Sequence, residues 1–237
     1  MAQTTNKLSS LTMFFPCYNE EKNLSALVAA AEKILPEIAE KYEVILVNDG
    51  SRDRTGAVAE ELSLAKPFVR AVHHTKNRGY GGALQSGFAA AKMDWTFFSD
   101  GDLQFDLSEL KNFVPFTKEH QAVIGYRIKR AEGFRRALNA KIFGLYIDML
   151  FGIGVRDIDC AFKLVRTDEI RKLKLISNGA VISTELLYKL KRNGVVFKEI
   201  GVQHYLRQFG IQTGAKLRVI IKAGWESFKL FLKTRLR

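Results

Sequence analysis

Cysteine is nearly absent: Cys17 and Cys160 are the only two in 237 residues. They are too few and too far apart for a disulfide framework or a cysteine-based zinc site, and they fit a reducing cytosol. His73, His74, His120 and His204 show no metal-ligand spacing, and no chemistry is assigned to them. Proline is limited to four residues, and neither a low-complexity tract nor an internal repeat occurs. The composition is that of a globular chain long enough for a sizeable core. Long apolar runs are missing too. The longest stretch without a charge, Gly79–Ala91, is rich in glycine, and the polar start "MAQTTNKLSS" has no signal-peptide core. The expectation is a cytoplasmic protein, soluble or peripheral to a membrane.

Acidic residues are outnumbered, 25 against 37 Lys and Arg, for a net charge of +12. Half of that excess lies in residues 215–237, where seven basic residues face Glu226 alone. A second cluster, "YRIKRAEGFRR" (126–136), has five basic residues against Glu132. Such patches suit an anionic partner: nucleic acid, anionic lipid or phosphate. No nucleic-acid motif accompanies them, and nucleic-acid binding would not explain the acids described next.

Apolar runs alternate with helical spacing through the first half. Strands are predicted at 11–15, 43–47, 68–73, 95–99 and 122–126. Helices are predicted at 21–41, from about 53 to 65, at 81–93 and from Asp106 to about His120, the last opened by a capping-box pair, Asp106 and Glu109. Short links between such elements imply right-handed crossovers and a mostly parallel sheet covered on both faces. In such sheets ligands lie beyond the carboxyl ends of the strands. The polar clusters "PCYNE", "NDGS", "SDGD" and "GYR" all fall there, so one cleft could collect them. Farther on, 135–151 and 183–193 read as helices, 160–165 and 194–200 as strands, and 215–233 as a long amphipathic helix.

The glycines of "NRGYGGALQSG" (77–87) do not make a dinucleotide fingerprint, because Leu84 stands where a third glycine or alanine is needed. They make either a tight structural turn or a helix start whose N–H groups hold a phosphate. Asp100 and Asp102 follow an apolar run. At i and i+2 of extended backbone both carboxylates reach one small volume, with Gly101 allowing close approach and Gln104 offering a further oxygen. Hard oxygen donors without His or Cys suit Mg²⁺ or Mn²⁺. A solvated acidic loop is the alternative; the position across from Asp49 favours the cation.

In order and spacing, "FFPCYNEEKNL", "VILVNDGSRDRTG", "NRGYGGALQSG", "FSDGDLQFD", "GYRIKR" and "RDIDCAFKLVR" resemble the family 2 inverting glycosyltransferases. The whole is similar to the branch that makes dolichyl- or polyprenyl-phosphate sugars. The resemblance covers roughly residues 10–213 and implies an α/β GT-A fold, a nucleotide-sugar donor and a divalent metal, Mg²⁺ or Mn²⁺. It implies one catalytic domain over 1–213, with 214–237 as a basic helix. By the same resemblance, Pro16, Tyr18 and Glu20 line the nucleotide site with Gly79, and Val47 and Asp49 lie around base and ribose. Asp100 and Asp102 bind metal and diphosphate, with Gln104 as a further ligand. Arg127 meets the phosphates, and Arg207 closes over the donor or acceptor. Asn48 stands where many relatives carry an Asp. Thr213 stands where mannosyl synthases carry a lysine, which weighs against GDP-mannose.

The expected reaction is transfer of a sugar from a GDP- or UDP-sugar to a polyprenyl phosphate, with inversion. Arg130, Arg135 and Arg136 are the candidates for holding the acceptor phosphate, and Asp157 for orienting an arginine or the sugar. A hydroxyl acceptor would instead need a carboxylate base, for which Asp157, Asp159 or Glu185 could serve. The C-terminal helix, with Leu217, Ile220, Ile221, Phe228 and Leu232 near Trp225, could lie on an anionic membrane surface at its cytoplasmic side, or pack on the core. The 135–153 segment is a second candidate for lipid contact. A membrane-protein partner is compatible with either.

Overall fold

Leu8–Cys17 form β1, the strand on which the rest is assembled. Its side chains are buried on both faces, with Leu11, Met13 and Phe15 in one core and Phe14 in another. A strand apolar on both sides belongs inside a sheet with helices on each face. The computed structural model has this arrangement and describes residues 7–128, 134–207, 209 and 217–235, with the backbone alone for 134–140, 217–222 and 235.

In chain order the elements are β1, α1 (Leu24–Ile38), β2 (Ala39–Asn48), α2 (Thr55–Ala65), β3 (Val69–His73), α3 (Tyr80–Ala90), β4 (Trp95–Ser99), β5 (Ala122–Arg127), α4 (Phe134–Phe151), β6 (Phe162–Arg166), α5 (Thr167–Arg171), α6 (Ile182–Arg192), β7 (Phe197–Val202) and α7 (Leu217–Arg235). The sheet has seven strands in the order β3-β2-β1-β4-β6-β5-β7. Every neighbouring pair is parallel except those of β6, which runs antiparallel to β4 and β5. The mostly parallel α/β sheet is as expected; the reversed strand was not read from the sequence. Its consequence is direct. The loop that enters β6, rather than the one that leaves it, lies at the edge where the other strands end.

From β1 the chain steps outward through β2 and β3, then crosses back to place β4 on the other side of β1. The two crossovers leave in opposite directions, which opens a crevice above β1 and β4, the usual ligand position in such sheets. "PCYNE" and "SDGD" flank that crevice.

Two expectations about local structure are corrected. The helix expected from Asp106 to His120 is instead a pair of 3₁₀ segments, Leu107–Asn112 and Val114–Lys118. Pro115 has no N–H to continue an α-helical ladder, and its ring crowds the preceding turn. Asp106 does cap, accepting from Ser108 N at 2.9 Å. Glu109 does not close the capping box; its carboxylate accepts from Gln203 N, at 3.0 and 3.2 Å, and so ties down the end of β7.

The second half builds its own core. Ile147 and Phe151 of α4, Leu187 of α6 and Leu230 of α7 are buried together, and Tyr146 Oη donates to the carbonyl of Gly224 at 3.1 Å. The C-terminal helix therefore packs against α4. Both helices also leave apolar side chains in solvent: Ile142, Leu145 and Met149 on α4, Trp225, Phe228 and Leu232 on α7. The α4 residues recur at helical spacing, one face of one helix. Among the described residues no helix is long and apolar enough to cross a membrane.

Candidate active site

The loops after β1 and β2 are laced together. Asn19 sits at φ +57°, its N–H donating to Ser51 Oγ at 3.0 Å and its Oδ1 accepting from Arg52 N at 2.9 Å. Glu20 N donates to Thr55 Oγ1 at 2.8 Å. This directs the Glu20 carboxylate inward, where Asn23 Nδ2 donates to it at 2.5 Å and Arg207 pairs with its other oxygen. Burial is the main influence on that carboxyl and raises its pKa, against the lowering effect of Asn23 and Arg207.

Across the crevice, the chain leaves β4 at Ser99 and turns through Gly101 and Asp102. The expected extended i, i+2 geometry is thus replaced by a turn, with Leu103 at φ +60°, a conformation that bulky residues avoid and that active-site backbone tolerates. A Cβ on Gly101 would lie 3.2 Å from the Pro16 carbonyl oxygen and 3.3 Å from Cys17 Sγ, so the two loops meet at that glycine. The carboxylates still sense each other. Burial first, then the Asp102 charge, push the Asp100 carboxyl up to about 7, while the Tyr80 hydroxyl, which donates to it, pulls the other way. Asp100 Oδ1 is shielded from solvent and has no hydrogen-bond partner among the described residues. Asp102 accepts from Gln104 N at 3.2 Å and lies 3.4 Å from Arg207 Nη1. Arg207 therefore bridges Glu20 and Asp102, joining both walls of the crevice.

On the far side of the acids, Arg127 at the end of β5 is gripped by Asp157 from the loop entering β6. Nε and Nη2 donate to the two carboxylate oxygens at 2.6 and 2.7 Å, and the side chains are 10% and 9% exposed. The pair borders a cavity of about 420 Å³ that also takes in Lys141, Asp148, Arg156 and Asp159. Tyr126 forms part of its wall, with the Arg156 guanidinium 4.7 Å from the ring centroid.

Several expected residues have other employment. Val47 has no exposed surface and packs in the core with Phe14 and Ile45, because β2 is covered on both faces and Val47 shares the Ile45 side. Asp49 is closed in by the protein: His74 Nδ1 donates to it at 2.6 Å, Arg78 N at 2.8 Å and Gly79 N at 2.9 Å. The Gly79 amide is thereby committed to a carboxylate, and the Gly81 amide to the carbonyl of Asn178 at 2.8 Å. The glycine segment is the start of α3, with Gly79 as its N-cap at φ +84°, and its first amides are used within the protein; a Cβ on Gly79 would sit 2.6 Å from the Asn178 carbonyl oxygen. Gln104 uses Nε2 to donate to the carbonyl of Tyr205 at 2.9 Å, tethering the chain after β7. Glu185 is fully buried and accepts from Ile176 N, Ser177 N and Lys189, which removes it as a general base. Pro16 and Tyr18 remain at the crevice, Tyr18 exposed. Arg130 and Thr213 lie outside the described residues, as do the side chains of Arg135, Arg136, Leu217, Ile220 and Ile221.

Two contributors were not foreseen: His74, which holds Asp49, and Tyr80, whose hydroxyl donates to Asp100. Tyr80 stands beside Gly79 in a segment already singled out, which was the available signal. Nothing in the local sequence marks a partner of Asp49 or Asp100 that is supplied by a different loop.

The family model for Glycosyl transferase family 2 matches residues 12–174. An undecaprenyl-phosphate 4-deoxy-4-formamido-L-arabinose transferase of Proteus mirabilis is 27% identical over 219 residues, covering 92% of this chain and 66% of the relative. The chain thus spans just under two thirds of that protein's length. A polyprenol monophosphomannose synthase of Mycolicibacterium smegmatis is 28% identical over 227 residues, covering 87% of this chain and 82% of the relative. Among solved structures, glucosyl-3-phosphoglycerate synthase from Mycobacterium tuberculosis, in complex with Mn²⁺ and uridine-diphosphate-glucose, superposes with a TM-score of 0.69 at 18% identity, covering 95% of this chain and 78% of that one. The likeness establishes the GT-A fold. The match runs from β1 through α5 and so takes in the crevice, both acids of the turn and the Arg127–Asp157 pair. On that extent, the chain belongs to glycosyl transferase family 2.

Proposed function

We propose that the protein transfers a glycosyl group from a nucleoside diphosphate sugar to the phosphate of a polyprenyl phosphate, with inversion at the anomeric carbon. The observation that carries this reading is the placement of Asp100 and Asp102 at the crevice beside an Arg127–Asp157 pair that opens on a cavity lined by Lys141 and Arg156 as well as Asp148 and Asp159. The relatives' names point the same way, since two of them act on or make polyprenyl phosphate sugars.

A divalent cation fits the donor set. Asp100 Oδ1 is buried without a partner among the described residues, and Asp102 lies close enough to raise its pKa. No group of three or more His, Cys, Asp or Glu encloses a cation among the described residues, so Asp100 and Asp102 would share it with substrate phosphates and water. Bound there, Mg²⁺ or Mn²⁺ would neutralise the diphosphate as it departs. Glu20, Tyr18 and Pro16 would line the nucleotide side. Gln104, whose amide nitrogen is tethered, would support the turn and offer its oxygen.

The chain's own part is positioning and charge. A phosphate monoester has a second pKa of about 6, so the acceptor oxygen is already anionic near neutral pH and needs no strong base. Its lone pair forms the new bond to the anomeric carbon. The bond from that carbon to the diphosphate breaks, and the nucleoside diphosphate leaves with the electron pair. Arg127, held in one orientation by Asp157, would steer the acceptor phosphate, helped by Lys141 and Arg156 at the cavity and by Arg130, Arg135 and Arg136. Arg207 would exchange its carboxylate partners for substrate phosphate, closing the crevice. Preorganised charge of this kind lowers the barrier without reorganisation at the moment of reaction.

The exposed apolar residues of α4 and α7, with Lys141, Lys229 and Lys233 near them, would rest on the anionic face of a membrane and bring the cavity to its lipid. The 214–237 segment would thus serve the 1–213 catalytic unit both as packing and as a membrane contact, at the cytoplasmic face.

The test is to incubate the protein with Mn²⁺ or Mg²⁺, labelled UDP- and GDP-sugars and polyprenyl phosphate. A chloroform-extractable labelled product of inverted configuration is expected. Transfer only to hydroxyl acceptors would overturn the acceptor, and activity unaffected by a chelator would overturn the cation. Within this reading Tyr80 orients Asp100. Tyr80→Phe removes one hydroxyl from a packed ring, and groups that hold a ligating carboxylate are worth about 10–100-fold in affinity or activity. The expected result is a Mn²⁺ concentration for half-maximal rate raised about tenfold, with an unchanged circular dichroism spectrum.

A further inference from the structure

Strand β6 is buried at 162–165, yet its second residue is a lysine. Lys163 is 0% exposed, lies opposite Phe98 of β4 and Ile124 of β5 in the sheet register, and has the Phe98 ring centroid 5.7 Å from its ammonium. Isolated charge is expensive in such a place, and a methionine would fill similar space. Among the described residues no carboxylate lies within ion-pair distance of it. Its hydrogen bonds go instead to two carbonyl oxygens of the loop entering β6, that of Ile158 at 3.2 Å and that of Cys160.

Those two acceptors explain the choice of residue. Between Arg156 and Cys160 the chain turns, with Cys160 N donating to the Asp157 carbonyl at 3.2 Å. Ile158 and Cys160 are buried, while Asp159 is exposed and lines the cavity with Asp157. The carbonyls of Ile158 and Cys160 face inward, where water is excluded, and a backbone carbonyl buried without a donor is destabilising. A lysine rising from the strand below satisfies both at once through the N–H donors of its Nζ, although burial lowers its pKa. Asp157 belongs to the same turn and grips Arg127 with two hydrogen bonds.

We infer that Lys163 is a positioning residue: it pegs the 157–160 turn from beneath so that Asp157 presents Arg127 to the acceptor phosphate. The inference rests on the acceptor reading given above. It acts on the β5–β6 side of the site, whereas the nucleotide side is built from the loops after β1 and β2. Acceptor and donor functions should therefore respond differently.

Lys163→Met keeps the apolar stem and removes both hydrogen bonds. With the acceptor arginine displaced, the KM for polyprenyl phosphate is expected to rise about tenfold to a hundredfold and kcat to fall, because small misplacements of a reactant are costly in rate. The dissociation constant for UDP or GDP, by calorimetry, should stay within about twofold of wild type. In ¹⁵N spectra the Arg127 Nε–H signal should move. A merely structural lysine would lower the melting temperature and leave the acceptor KM and that signal unchanged, which would overturn the inference. Equal losses of donor and acceptor affinity would overturn it too. If the methionine variant is insoluble, Lys163→Gln, which keeps an amide NH₂ on a stem too short to reach both carbonyls, is read by the same three measurements. Wild-type protein inactive towards every polyprenyl phosphate would count against the proposed function; an active wild type with unaltered acceptor kinetics in whichever variant is measured would count against Lys163.

Discussion

Asp100→Asn is expected to cut transfer steeply and, at the same time, to raise the melting temperature of chelator-treated protein at pH 8. The substitution keeps the shape of the side chain and an oxygen for Tyr80, and removes the charge. Burial and the neighbouring Asp102 push the Asp100 carboxyl up to about 7, above the ordinary unfolded value of about 3.9. The folded protein therefore binds more protons than the unfolded chain between those limits. This carboxyl's contribution to stability is greatest below about 4 and falls as pH rises towards 7, after which it is level. Asparagine removes that dependence. A gain of about 1 kcal/mol would appear as about 2–4 °C in a chain of this length. Activity should fall about a hundredfold to a thousandfold, as when a group that stabilises developing charge is lost. Initial rates with saturating Mn²⁺, and melting curves at pH 5.5 and pH 8, measure both. A variant that is inactive yet melts lower at pH 8 than wild type would contradict the account of stored repulsion. A variant that retains activity would remove Asp100 from the site.

Arg127→Ala should lose both activity and stability. It leaves the Asp157 carboxylate, 9% exposed, without the guanidinium that holds it. Removing one partner of a buried ion pair destabilises by about 3–5 kcal/mol, and about 3 kcal/mol corresponds to a melting temperature lower by about 6–12 °C. Transfer should fall at least about a hundredfold, with a raised KM for the lipid phosphate. The double variant Arg127→Ala with Asp157→Ala separates the two effects: stability should return in part, since the carboxylate is removed along with its guanidinium, while activity should not. Arg127→Lys keeps the charge but not the two-point grip on a carboxylate, so it should restore stability better than rate. Recovery of full activity in the double variant would reduce the pair to a structural role.

Both predictions concern residues that the sequence already marked, and the reason is physical. An apolar strand that ends in Asp-Gly-Asp, or in Gly-Tyr-Arg, announces a charged group at the rim of a sheet, because charge cannot continue into the core. The five strands of the first half were legible for the same reason. β1, β2, β4 and β5 are runs of buried side chains stopped by a polar cluster, and β3, at the sheet edge, is a five-residue run that is only half-buried. The 3₁₀ pair was misread because the apolar spacing from Asp106 onward is helical, while Pro115 acts through a hydrogen bond it cannot make rather than through the pattern.

Other features depend on which segments meet. Local sequence assigns β6 to a strand but contains nothing about its direction, and that direction brings Asp157 to the same edge as Asp100. Arg207 reaches Glu20 and Asp102 across separations of 187 and 105 residues. His74 and Asp49 close on each other from the ends of neighbouring strands.

By itself, then, the sequence determined the α/β alternation, the edge at which the polar groups gather, and the acids and arginines that distinguish the site, because burial and strand ends are written locally. Only the tertiary structure decided the partners: that the Gly79 amide serves Asp49, that Glu185 is sealed away, that Tyr80 orients Asp100, and that a lysine inside a strand holds up the turn of Asp157. Hydrogen bonds and ion pairs between distant segments form only once the chain has folded, and no local pattern encodes which of several similar residues will arrive within reach.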